Sequence, residues 1–379
     1  MTHALIIGGG IAGPVTAMAL GKAGMTATVY EAYASGADDI GAFMMIMHNG
    51  FDALGALDAQ HAVVANSFST TKNASFEPDG TPLPVRPIGT QRTTFASPRT
   101  LKRADLYRAL HDELARRGGI IEHGKRFVHT TTDPSGTVVA HFADGSTAEG
   151  DLLVGADGIR STVRRIVDPS SPSPRFVGLN VIFGYTEDRS LPFADDVMRM
   201  LRGKRATLGH TTSPEGEHFW YTRLPGEEMS QAEAAAMTAS EWRQLALDFF
   251  VSDGNVLAAD VVSATDDAVL GRGVYDMPPM PTWHRSSVVL VGDAAHAASP
   301  AAAQGASMAM EDSVVLAKCL RDLPDLDQAF AAYELVRRER AERLVAYSRG
   351  DIRTPNGDWL YSHSIDWEEP VRRVAQERT

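Results

Sequence analysis

The stretch Ala4-Leu5-Ile6-Ile7-Gly8-Gly9-Gly10-Ile11-Ala12-Gly13-Pro14-Val15-Thr16-Ala17 decides the fold. A short apolar run, a glycine cluster and an alanine-rich segment ending at Gly24 spell strand, tight turn and helix. Pro14 is compatible with a first helical turn, whose amides have no partner inside the helix, and Gly24 can take the left-handed conformation that stops it. Gly8, Gly10 and Gly13 fit G-x-G-x-x-G, an arrangement in which the free amides and positive dipole of a helix start meet a pyrophosphate. Met25 to Tyr30 read as the next strand, and Glu31 at its end can accept from ribose hydroxyls. The motif does not separate one dinucleotide from another.

Strand signals recur at Asp151 to Val154 and at Val288 to Val291, the latter uniformly apolar as in a strand covered on both faces. Three distant segments thus belong to one layered α/β domain. From about Arg175 to Leu224 the period changes to two, through Val181, Phe183 and Tyr185, then Leu208, His210 and Thr212, then Trp220 and Thr222, as in an inserted antiparallel sheet. Ser230 to Phe250 is expected to cover that sheet as one helix, capped at Ser230 or Ser240, and Leu326 to Arg349 reads as a charged C-terminal helix.

The chain has 379 residues, with 36 Lys plus Arg against 48 Asp plus Glu and a formal charge of −12, which speaks against nucleic acid as a partner. A hydrophobic share of 44% and a charged share of 22% are ordinary globular values. The single cysteine, Cys319, permits no internal disulfide, thiolate cluster or CxxC. Without a basic leader or a spanning apolar run, the expectation is a cytoplasmic protein that does not enter a membrane. No HExxH, GxSxG or P-loop occurs, and His48 and His123 have no neighbours at ligand spacing, so no metal is expected.

Two further glycine-acid turns follow strands: Asp157-Gly158-Ile159-Arg160-Ser161, and Gly292-Asp293-Ala294-Ala295-His296 with Pro300, Gln304 and Gly305 ahead of a helix. In this order and spacing the three turns resemble the single-component FAD-dependent aromatic hydroxylases (group A flavoprotein monooxygenases), the family typified by para-hydroxybenzoate hydroxylase. Its tetracycline-inactivating and natural-product-tailoring members are closer in length. The resemblance runs to about residue 345. It implies an α/β fold, with a Rossmann-like FAD-binding domain, an inserted antiparallel-sheet substrate domain and a C-terminal helix. The corresponding division is 1–68, 98–172 and 275–325 for FAD, 69–97 and 173–274 for substrate, and 326–379 for the helix and tail.

Residue by residue, the resemblance implies that Gly8, Gly10, Ala12, Gly13 and Glu31 hold the ADP half of FAD. Arg103 lies near its phosphates, Val128 offers a backbone contact to the adenine, and Asp293 binds the ribityl chain. Asp157 and Gly158 belong to an element shared by FAD and NAD(P)H, while Ala42, Pro300, Gly305 and Ala306 lie beside the isoalloxazine. Ala303 and Ser307 depart from the family's usual glycine and asparagine. The implied activity inserts one oxygen atom from O2, by hydroxylation or epoxidation, into an aromatic or polycyclic small molecule. NADPH or NADH serves as reductant and a flavin C4a-hydroperoxide carries the oxygen. A helix starting at Gly305 would stabilise negative charge on the reduced flavin without an acid or base. Gly41 to Met47, rich in thioether, and Met45, Phe183, Met200, His210 and Trp220 are the candidate substrate contacts. His296 is expected to be structural. An FAD-dependent dehydrogenase or reductase, or a flavin-fold binding protein, would carry the same motifs.

Overall fold

The computed structural model describes residues 2–34, 42–89, 95–134, 136–188, 191, 196–266, 268–352 and 358–371. Strand β1 (His3–Ile7) turns through the glycines into helix α1 (Ala12–Lys22) and is followed by β2 (Thr26–Tyr30). Strand β3 (Phe43–Ile46) leads into α2 (His48–Gly55), β4 (Lys72–Phe76) lies in a second sheet, and β5 (Arg99–Lys102) enters α3 (Arg103–Arg116). After β6 (Ile120–Glu122) and β7 (Leu152–Gly155) come β8 (Arg175–Thr186), β9 (Val197–Arg202), β10 (Thr207–Thr212) and β11 (His218–Pro225). Helices α4 (Ala239–Asp253) and α5 (Val256–Ser263) precede β12 (Val269–Asp276). The last elements are β13 (His284–Arg285), β14 (Val288–Leu290), α6 (Asp293–His296), α7 (Gly305–Asp322) and α8 (Leu326–Arg349).

Six strands form the first sheet in the order β13-β14-β7-β1-β2-β6, parallel except where β13 pairs with β14. Ile7 lies beside both Tyr30 and Gly155, so the glycine turn after β1 and the Asp157 turn after β7 open at the same edge. This is the mixed α/β architecture expected, with the expected strands in place.

The second sheet runs β12-β8-β11-β10-β9-β4 and ends on the short strand Arg86–Pro87; it is antiparallel apart from the β9 and β4 pair. Its register sorts the side chains. Met200, Gly209, Tyr221, Phe183 and Leu270 form one cross-strand row; Arg199, His210, Trp220, Gly184 and Val269 form the next. Successive rows face opposite sides. The first packs toward Phe43 and Met45 of β3, the second toward Trp242 and Phe250 of α4.

The helical cover differs from expectation. In place of one helix over Ser230 to Phe250, a short helix Gln231–Ala236 and α4 are separated at the extended Met237. Each starts with a reciprocal cap, Ser230 with Glu233 and Thr238 with Glu241. Ser240 lies inside α4. The C-terminal helix α8 has the bounds read from the sequence. Among the described residues no helix is long and apolar enough to cross a membrane.

Candidate active site

The three motif glycines meet different demands. Gly8 has φ +106°, and a Cβ there would lie 2.5 Å from the Ala156 carbonyl oxygen; one at Gly13 would lie 2.0 Å from that of Gly8. Both are fixed by the fold. At Gly10 a Cβ would meet nothing within 4 Å, so no packing inside the protein asks for glycine. Helix α1 begins without a side-chain cap and Ala12 lies in its first turn. Glu31 is buried; its Oε2 accepts from the Gly9 amide at 2.7 Å and its Oε1 from that of Tyr33 at 2.9 Å, which leaves lone pairs on both oxygens. Val128 is exposed on the strand Phe127–Thr132, and the buried Ala42 accepts from the Arg103 amide at 2.9 Å. Gly41 lies outside the described residues.

The Asp157 carboxylate is taken up by its own turn. Its Oδ1 accepts from the Ser161 hydroxyl at 2.5 Å, and its Oδ2 from the amides of Thr162 at 2.7 Å and Val163 at 3.1 Å. Both oxygens are engaged by the chain's own turn, which Gly158 completes at φ +76°. Asp293 differs: its side chain is exposed, yet the surrounding protein desolvates it and raises its carboxyl, against the pull of His296, Arg103 and Arg272. Arg272 on β12 is likewise exposed while desolvation lowers its guanidinium. Asp293, Arg272 and Arg103 thus lie close enough to act on one another electrostatically. Arg272 carries no motif, and only the register of β12 brings it there.

Pro300 opens a single 3-10 turn over Pro300–Ala302, and Ala303 closes it at φ +51°. Alanine pays roughly 1–2 kcal/mol for that left-handed conformation where glycine pays little, so Ala303 holds it at the expense of strain. Helix α7 begins at Gly305 without a side-chain cap, with Ala306 next, and a Cβ on Gly305 would lie 3.9 Å from Asp293 Oδ1. Ser307 accepts from the Met47 amide at 3.3 Å and packs on Gly50, where a Cβ would come within 2.6 Å of Ser307 Oγ. The serine therefore clamps α7 to α2.

Beneath this helix start lies a buried ionic cluster that the sequence did not reveal. Arg337 of α8 is fully buried, 2.6 Å from Glu311 and 2.7 Å from Asp312. Arg340 reaches Glu311 at 2.8 Å, and Asp312 Oδ2 accepts from the Gly292 amide at 2.9 Å and sits 2.5 Å from His296. Burial opposes both carboxylates, but the guanidiniums prevail: Glu311 is pulled down to about 2, and Asp312, paired with His296 and Arg337, is lowered as well. Asp312 also holds His296 above its usual value despite burial. His296 thus stands in a structural ion pair.

The expected substrate contacts split. Phe183, Met200 and Met45 share the apolar wall between the second sheet and β3, joined by Phe43, Phe219 and Tyr221. Trp220 and His210 do not belong with them. Trp220 is fully buried on the opposite face, donating to Thr265 at 2.8 Å, and His210 contacts His218 at 2.8 Å there. Tyr221, which the sequence did not single out, is half-buried, and desolvation pushes its phenol up. Its ring lies across Gly209, and among the described residues its hydroxyl meets the Met200 sulfur at 4.0 Å. No group of acidic, His or Cys side chains among the described residues could hold a metal ion.

The profile of the family described as "FAD binding domain" matches residues 1–348. Aurachin C monooxygenase/isomerase of Stigmatella aurantiaca is 30% identical over 98% of this chain and 93% of its own length. 6-Hydroxynicotinate 3-monooxygenase of Pseudomonas fluorescens is 27% identical over 95% of this chain and 94% of its own. Klebsiella pneumoniae HpxO complexed with FAD and uric acid superposes with a TM-score of 0.81 at 26% identity, covering 92% of this chain and 87% of that one. The chain belongs to the FAD-binding monooxygenase family and is an FAD-dependent oxidoreductase.

Proposed function

We propose that the protein uses NADPH or NADH to insert one oxygen atom, as a hydroxyl or an epoxide, into an aromatic or polycyclic small molecule. The carrying observation is the wall formed by Met45, Met200, Phe183 and Phe43 around the Tyr221 hydroxyl. Flat apolar surfaces suit a ring, and a phenol whose hydroxyl, among the described residues, bonds only the Met200 sulfur suits a ring substituent that can exchange a hydrogen bond. The names of the relatives, which include a 6-hydroxynicotinate monooxygenase, agree with such a substrate class. On this reading residues 1–68, 98–172 and 275–325 serve the cofactor, and 69–97 with 173–274 the substrate.

FAD, when bound, supplies the electron and oxygen chemistry. The residues fit it: Gly10 leaves open space in front of the turn, the capless starts of α1 and α7 offer amides to anionic groups, and Asp293, near Gly305, interacts with Arg103. Glu31 keeps lone pairs for ribose hydroxyls, and Val128 and Ala42 offer backbone. Pro300, Gly305 and Ala306 form the edge that stabilises negative charge through the dipole of α7. Gly158 shapes the turn, and Asp157 acts by holding it.

Two substitutions test the cofactor assignment. Gly10→Val should fold normally, because nothing lies within 4 Å of the new Cβ, yet purify without flavin. Asp293→Ala should lose roughly 1.5–3 kcal/mol of FAD binding, one to two decades in Kd, measured by titrating FAD into the apo form. Wild-type retention by both would remove this placement. The reaction is tested by supplying holoenzyme with NADPH, 18O2 and a panel of hydroxylated benzoates and N-heteroaromatics. One labelled atom should enter a product for each nicotinamide consumed. Nicotinamide oxidation that proceeds at the same rate in the absence of oxygen, with an added dye as acceptor and no labelled product in air, would favour a dehydrogenase.

A further inference from the structure

The glycine turn after β1 is gripped by a side chain from a distant part of the sequence. Gly9 uses both of its backbone polar atoms: its amide donates to Glu31 Oε2 at 2.7 Å, and its carbonyl oxygen lies 2.6 Å from Nε2 of His111. His111 stands on α3, one turn after Tyr107, against whose ring it packs with centroids 3.7 Å apart. Leu106, Leu110 and Leu114 bury the opposite stripe of the same helix in the core, so the imidazole is presented to the turn on a fixed support. A carbonyl only accepts, which places a hydrogen on Nε2. Burial lowers the ring below its usual value, outweighing the Gly9 carbonyl and Glu31, so at neutral pH the imidazole is uncharged and Nε2–H is its one donor.

That bond also settles the peptide unit ahead of it. The Gly9 carbonyl and the Gly10 amide belong to one planar trans unit and point in opposite directions. Holding the carbonyl on His111 turns the amide away from α3, and the Gly10 amide has no partner among the described residues. Glycine on both sides leaves such a unit free to rotate, so an outside grip is what gives its amide one direction. Gly10 itself borders open space, with nothing within 4 Å of a Cβ placed there. We propose that His111 is a positioning residue for the dinucleotide, which by holding the Gly9 carbonyl presents the Gly10 amide to the pyrophosphate of FAD. This rests on the cofactor placement given above. The side chain acts on the turn, and the turn on the phosphates. The glycine motif gives no sign of it, because His111 lies 102 residues further along the chain.

The test uses apo protein, three variants and two ligands, FAD and ADP, which share the pyrophosphate. Gln sets its side-chain nitrogen where Nε2 stands and Asn is one atom too short, so His111→Gln keeps the donor while His111→Asn and His111→Leu lose it. The latter two should weaken FAD about tenfold and ADP by the same factor, whereas His111→Gln should bind both nearly as wild type does. In 31P NMR of bound FAD the pyrophosphate resonances should move in His111→Asn and return in His111→Gln, with the visible flavin bands unchanged in all three. A loosened fold would not be rescued by one amide nitrogen and would disturb the bands as well. Equal losses in Gln, Asn and Leu variants would overturn the donor role and leave His111 as packing. Wild-type ADP affinity or unmoved 31P resonances in His111→Asn would overturn the proposal outright. If His111→Leu does not fold, the Asn and Gln pair carries the comparison. If Asp293→Ala and Gly10→Val weaken FAD while His111→Asn does not, only this inference fails; if none of them does, the cofactor placement fails with it.

Discussion

Arg337→Met should lower the stability of the folded protein by about 3–5 kcal/mol, the usual cost of leaving a buried charge without its partner. The side chain is fully buried and lies between Glu311 and Asp312, which hold it charged although burial works against it. Methionine fills much the same volume beside Met308, whose sulfur already touches Arg337 at 3.6 Å, so packing changes little and the loss is electrostatic. Arg340 and His296 remain to compensate two buried carboxylates, a poorer balance than before. Adding Glu311→Gln to Arg337→Met should recover part of the loss, because one uncompensated charge disappears. Urea unfolding at pH 7 measures both. A single-variant loss below about 1 kcal/mol would mean that the cluster is solvated and not a buried ion network.

The second large effect is a pH dependence confined to the back of the second sheet. Burial, His218 and Arg199 push His210 down to about 3, and His218 is lowered as well, first by burial. The sign follows from proton uptake: the unfolded chain protonates His210 near 6.5 and the folded one does not, so stability falls as pH drops from about 7 toward 3. Between pH 7 and pH 4 the contribution of His210 is about 3 kcal/mol. Other groups act in other windows. Asp52, raised to about 6 by burial and by Glu311, adds stability as pH falls through 6 toward 3.8. Glu311, lowered to about 2, withdraws its contribution below about 4.5. His296, raised by Asp312 against burial, favours the fold below its raised value and loses that contribution on the alkaline side. The His210 effect is therefore read as a difference: relative to wild type, His210→Gln should gain about 3 kcal/mol on going from pH 7 to pH 4, by urea unfolding at each pH. Parallel stability curves for the two proteins would show that His210 titrates in the fold as it does in the unfolded chain.

Sequence periodicity served well where one physical demand acted alone. Strands β7 and β14, and β1 beyond His3, are uniformly apolar because both faces are covered, and the glycine turns between strand and helix are short-range geometry. In the inserted sheet it marked the strands but did not sort their faces, because Phe219 and Trp220 are both buried, on opposite sides. The break at Met237 was written in the sequence as a second capping box, Thr238 with Glu241, and was hidden by the alanine-rich run before it. The Asp157 turn was recognised as a motif, but the use of its carboxylate depends on Ser161, Thr162 and Val163 folding back onto it. Arg272 near Asp293, and Arg337 between Glu311 and Asp312, are pairings across elements that no local pattern encodes.

The strand order of the first sheet has a consequence for biosynthesis. β7 pairs with β1 on one side and with β14 on the other, yet β14 emerges from the ribosome only after the whole inserted sheet and its helices. At about 5–20 residues per second this leaves the apolar outer edge of β7 bare for on the order of ten seconds. During that interval Leu153, Val154 and Gly155 present unpaired backbone to any passing strand, their own partners Val288 to Leu290 not yet existing. The turn that carries Asp293 comes later still, so a nascent chain cannot assemble the proposed cofactor site until synthesis is nearly complete. Truncations upstream of β14 should accordingly gather in inclusion bodies, and slowing translation should lengthen the dependence of the full chain on chaperones that shield strand edges.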